Sequence, residues 1–107
     1  MANPTKFTWV DPTKNTDGTA VVAGEITGYS IGVRPASGTA GTYPIITPIS
    51  GATTTSEPLA SLSTILTPGD YAAAIQSVGP VNSAWSSEIT FTISPPVPTP
   101  PTSFSVA

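Results

Sequence analysis

The sequence contains no cysteine and no histidine. Without thiols there is no disulfide framework and no thiolate nucleophile or ligand. Without imidazole the usual general base and the commonest metal ligand are missing. Charge is scarce as well: Asp, Glu, Lys and Arg make up 8% of 107 residues, with a formal net charge of −3. Lys6, Lys14 and Arg34 are the whole cationic complement, too few to neutralise a phosphate backbone, so nucleic acid is excluded as a partner. No apolar run approaches the ~20 residues of a membrane helix. The opening MANPTK is polar and lacks the basic and apolar regions of a secretory signal. These features predict a soluble protein made in the cytoplasm, with no membrane partner.

What is abundant is punctuation. Thirteen prolines and nine glycines separate short runs rich in Val, Ile, Thr and Tyr, a distribution that disfavours helices and suits strands. The length allows one domain, with a modest core and roughly two-thirds of the unfolded surface buried.

Residues 1–6 read as a polar lead. Phe7 and Trp9 alternate with Thr8 and Val10 and therefore share one face of a strand that Asp11-Pro12 stops. Asp17-Gly18 marks a turn in the polar loop 11–20. Tyr29, Ile31 and Val33 point one way from the next strand; Ser30, Gly32 and Arg34 point the other. Pro44 and Pro48 confine Tyr43–Ile49 to a sheet edge. A Gly/Thr/Ser loop is predicted over 50–58 and a short strand over Leu59–Leu66. A turn at Thr67-Pro68-Gly69-Asp70 leads into a strand with Tyr71, Ala73 and Ile75 inward, and Ala72, Ala74 and Gln76 outward. After Gly79-Pro80, Ile89, Phe91 and Ile93 face in from the last long strand while Thr90 and Thr92 face out. PPVPTPP at 95–101 cannot pair in a sheet and predicts a polyproline-type linker. Phe104 and Val106 then share one face of a strand-like arm, 102–107. The pattern is that of an all-β two-sheet antiparallel sandwich.

Four pieces in order, FTWVDPTKNTDGT, EITGYSIGV, ILTPGDYAAAIQSV and SAWSSEITFTI, resemble the second, third, sixth and closing strands of a fibronectin type III domain, an immunoglobulin-like fold. The resemblance covers almost the whole chain. It implies a tyrosine corner, with the Tyr71 hydroxyl bonded back to backbone near Leu66. The departure is at the ends: MANPTK is too short to supply the family's first strand, whereas PTPPTSFSVA looks like that strand. On this reading 1–94 is a sandwich lacking its first strand, and the vacant edge lies beside Phe7 and Trp9.

Three outcomes for the arm are open. It could fold back in cis, since a linker of about eight residues at ~3.1 Å each spans about 25 Å. It could pair with the vacant edge of a neighbouring copy, Phe104 and Val106 carrying the contact and Pro98, Pro100 and Pro101 the reach. It could remain a surface tail. An uncovered second strand is an aggregation template, so exchange between copies, and hence a homo-oligomer, is the outcome favoured here.

Catalysis is not indicated. Asp11, Asp17 and Asp70 sit at turns, where aspartate bonds nearby amides. No spacing among the six acids suggests a paired-carboxylate site, and DPTKNTD is too poor in ligands for a calcium loop. No metal or cofactor is expected. Trp85 is either an exposed anchor or, as the SAWS pattern of the resemblance implies, tucked over the sandwich end, the latter being favoured. The outward face bearing Ala72, Ala74, Thr90 and Thr92 is small and nearly uncharged; it is read either as a face that packs on another protein or as a Thr/Ser-rich solvated surface. Two functions follow. One is a virion structural protein of a tailed phage, a capsid decoration or other accessory subunit assembled in the host cytoplasm with a capsid protein as partner. The other is a spacer or carbohydrate-adjacent module of a larger secreted, extracellular bacterial protein. Glycan binding has no residue pattern to support it.

Overall fold

A computed structural model describes residues 3–107; Met1 and Ala2 of the polar lead lie outside the described residues. Six strands form in chain order: β1 Lys6–Thr8, β2 Gly28–Pro35, β3 Ile45–Ser50, β4 Ser56–Pro58, β5 Gly69–Val78 and β6 Ile89–Ile93. Among the described residues they make two antiparallel sheets, a four-stranded one ordered β3-β2-β5-β6 and a two-stranded one, β1-β4. The all-β sandwich read from the pattern is therefore the architecture.

β2 and β5 form the centre because both carry long, uninterrupted alternation with no proline until Pro35. Their register sets Ile31 opposite Ile75 and Val33 opposite Ala73. Tyr29, Ile31 and Val33 are buried, with Phe7, Ile49, Leu62, Tyr71 and Ala73 completing the core. Pro48, opposite Ser30, is tolerated because β3 is an edge strand, where an absent N–H breaks no second ladder. The two sheets meet through aromatic contacts: Phe7 stands edge-on to Phe91 with centroids 5.6 Å apart, and Trp9 lies 5.5 Å from Tyr29. Such pairs add stability beyond the area they bury.

The corner before β5 forms as the tyrosine's position implies. The Tyr71 hydroxyl donates to the Thr67 carbonyl at 2.6 Å. The Asp17-Gly18 turn also forms, with Gly18 at φ 88°, a left-handed conformation that glycine adopts without steric penalty. One segment differs from the sequence reading. The fourth strand lies at Ser56–Pro58, inside the predicted loop, and Leu59–Ser61 is a single 3₁₀ turn instead of a strand. Leu59 and Leu62 are three apart, and the Leu62 N–H donates to the Leu59 carbonyl at 3.2 Å. That spacing drives both leucines toward the core from one turn.

Candidate functional site

The outer face of the four-stranded sheet is built over by the chain itself. Ala72 and Ala74, expected on a face open to another protein, are 1% and 5% exposed. Tyr43, entering β3, lies across Gly32 so closely that a Cβ there would stand 2.5 Å from its ring. Trp85 packs at a tilt against Tyr43 with centroids 4.8 Å apart, so it is tucked onto the sheet. The rim is polar: Arg34 Nε donates to Glu88 Oε2 at 2.8 Å and Nη2 to Oε1 at 2.7 Å, while the Tyr43 hydroxyl donates to Oε2 at 2.9 Å. The hydrogen bond from Arg34, then that from Tyr43, pulls the Glu88 carboxyl down to about 2, because both stabilise its charged form. Small residues under large ones explain the arrangement: Gly32, Ala72 and Ala74 leave room that only bulky neighbours can fill. Thr90 and Thr92 are exposed, the latter donating to Asp70 at 2.7 Å. Half of the expected packing face is therefore internal. The sequence held the signal, three small outward residues facing a Tyr and a Trp, but their pairing depends on tertiary structure.

The acids do not converge. Asp11 accepts from the Tyr29 hydroxyl at 2.6 Å; burial first, and then this carboxylate, raise the phenol to about 12. Asp17 accepts from the Thr19 hydroxyl at 2.6 Å and from its amide at 3.0 Å, bonds that lower its pKa. Glu25 accepts the Val22 amide at 2.7 Å. Each is engaged in local structure, an arrangement that ties loops and offers no paired acid and base.

A further surface is the side of β1 that faces away from β4. Phe7 faces Glu57 of β4, and the flanking bonds run from Trp9 N–H to Thr55 and from Leu59 N–H to the Thr5 carbonyl. Backbone groups alternate sides along a strand. Thr5, Phe7 and Trp9 are thus spent on β4, whereas the N–H and C=O of Lys6 and Thr8 point away from it. Beside this edge runs a groove of about 210 Å³ whose lining is mainly apolar, Phe7, Trp9, Ile31, Ile75 and Ile89 among it, with Thr8, Ser86 and Ser87 the polar members. Ile89 faces inward from β6 yet is 55% exposed, because nothing in the two-stranded sheet reaches over it. The Trp9 indole N–H is buried without an acceptor, the one such side-chain group among the described residues. Phe7 and Trp9, expected to flank a vacant edge, both line this groove.

The arm stands elsewhere. Residues 95–107, including Pro98, Pro100 and Pro101, are exposed and unpaired, with Phe104 and Val106 at 95% and 98% exposure. The chain measures 76 × 28 × 21 Å. The arm's thirteen residues, which bend at Ser103, span at most about 40 Å at ~3.1 Å each, so the long dimension is body plus protruding arm. Its root is pinned where Ser94 donates to Asn3 Oδ1 at 2.8 Å and accepts from Asn3 Nδ2 at 3.2 Å.

Compared with family models, curated proteins and solved structures, the chain matches none.

Proposed function

We propose that this chain is a non-enzymatic structural protein, an accessory subunit that decorates or coats a phage capsid, built on a fibronectin type III-like sandwich without its first strand. The carrying observation is the kind of surface on offer: an unpaired strand edge, an apolar groove and an outstretched arm, with every acid but Glu57 engaged in a side-chain hydrogen bond. Backbone edges and apolar stripes recognise protein; they perform no reaction. The fold reading is supported by the order β3-β2-β5-β6 over β1-β4 and by the bond from Tyr71 to Thr67, which suit a sandwich of this family with the neighbour of β1 absent. The virion is the compartment this reading implies, with capsid protein and further copies of the chain as partners.

The test is attachment. Purified protein mixed with capsids that lack it is expected to co-sediment and to occupy regular lattice positions in electron images. Failure to co-sediment overturns the proposal. The stiff proline-rich arm also suits a spacer module in a secreted bacterial protein; retention on a bacterial polysaccharide without capsid attachment would favour that reading.

A further inference from the structure

We infer that the free side of β1 and its groove form an acceptor site for residues 104–107 of a second copy, so that copies link head to tail. The inference rests on the structural-subunit reading and names the partner for one of its surfaces.

Three observations converge on the same place. Among the described residues the outward N–H and C=O groups of Lys6 and Thr8 have no strand beside them, and such an edge is a template for another chain. The groove next to it is apolar and leaves inward-facing Ile89 half uncovered, the volume a strand's inward side chains would fill. The arm presents Phe104 and Val106 on one face, 95% and 98% exposed among the described residues.

Geometry selects the register. Ser103, at φ 58°, is the one described non-glycine residue in the left-handed region, so an extended segment starts after it. Antiparallel pairing with β1 then sets Ser105 opposite Thr8 and Ala107 opposite Lys6, the positions whose backbone groups point outward. Phe104 falls beside Trp9 and Val106 beside Phe7, both over the groove. Reach favours a neighbour over self-insertion. The arm leaves the body beside Asn3, at the end where β1 begins. To run antiparallel to β1 in cis it would have to pass that strand and double back, but PPVPTPP is stiff and extended. Donor and acceptor lie on different parts of the surface, so the contact is heterologous and propagates into a chain or closes into a ring.

The chain has no cysteine of its own, so engineered thiols report the contact cleanly. Cα atoms of a hydrogen-bonded antiparallel pair lie ~5.5 Å apart, within disulfide range. Full-length T8C mixed with full-length S105C is expected to oxidise to a heterodimer. The combined T8C/S105C variant is expected to give a covalent ladder or ring, and T8C with S37C no adduct above background. Light scattering over a concentration series reads the same contact without cross-links. F104D/V106D, whose altered side chains touch nothing in the monomer, is expected to weaken self-association by about a hundredfold, ~tenfold for each buried side chain lost. Wild-type protein that stays monomeric, a T8C/S105C bond formed within one chain, or T8C and S105C coupling no better than the S37C control overturns the inference. Capsid attachment is scored separately. A monomeric wild type that still coats capsids refutes the exchange alone; a protein that self-associates through its arm but never attaches refutes the capsid reading alone.

Discussion

Glu88 carries the largest electrostatic consequence of the fold at the residue scale. Its folded carboxyl titrates at about 2, below the ordinary 4.5, so a protonated Glu88 is tolerated better by the unfolded chain. Its contribution is complete above pH ~4.5 and is lost as pH falls from there toward ~2. Denaturation midpoints measured across that window are expected to decline in the wild type. E88Q should start lower at neutral pH and show a flatter decline, since the titrating partner of Arg34 is gone. Gly32 makes a steric prediction at the same scale. G32A inserts a methyl group against the Tyr43 ring and should cost about 1–3 kcal/mol, seen in urea unfolding. Y71F removes the bond to Thr67 and should cost about 1 kcal/mol, with the fold retained.

At the scale of the element, the β5–β6 hairpin shows how serines substitute for a regular ladder. β6 pairs with β5 so that Tyr71 faces Phe91 and Ala73 faces Ile89. Nearer the turn, Ile75 is bonded to Ser86 and Ser77 to Ser83. Two residues of β5 are thus matched by three of its partner, twice over, which is the spacing of successive bulges. At each, a serine hydroxyl accepts the β5 amide: Ser86 Oγ from Ile75 at 3.0 Å and Ser83 Oγ from Ser77 at 2.9 Å. The bulges turn Trp85 back over the sheet onto Tyr43. S86A is therefore expected to accelerate amide exchange at Ile75 and to leave Tyr71, in the regular ladder, unchanged.

The molecule as a whole is a small body with a long arm that has no charged side chain. Residues 95–107 contain no ionisable side chain, so association through them should vary little between low salt and ~0.5 M, where surface ion pairs are screened. Because Phe104 and Val106 contribute nothing to their own body, F104D/V106D should unfold within about 0.5 kcal/mol of wild type at concentrations where both are monomeric. A larger loss would mean that the arm packs on the body it belongs to.

Local pattern by itself determined much of this protein. Alternation in Tyr29–Val33 and Tyr71–Ile75 placed the central strands and their inward faces, because side chains on a strand alternate without reference to partners. Pro48 marked the edge strand, and Thr67–Asp70 with Tyr71 marked the corner. Phe7 and Trp9 were legible as residues sharing one inward face at the first strand, and both line the groove beside it. Tertiary structure decided the rest, where the outcome depends on what comes to lie opposite. Ser56–Pro58 is a strand because Phe7 pairs with Glu57, and nothing in the local sequence SEP announces it. Ala72 and Ala74 are interior on a face where Tyr43 lies across Gly32, the residue opposite Ala74, and Trp85 packs against Tyr43, all distant in sequence. Arg34 and Glu88, 54 residues apart, become partners only when β2 and the bulged end of the β5–β6 hairpin lie side by side.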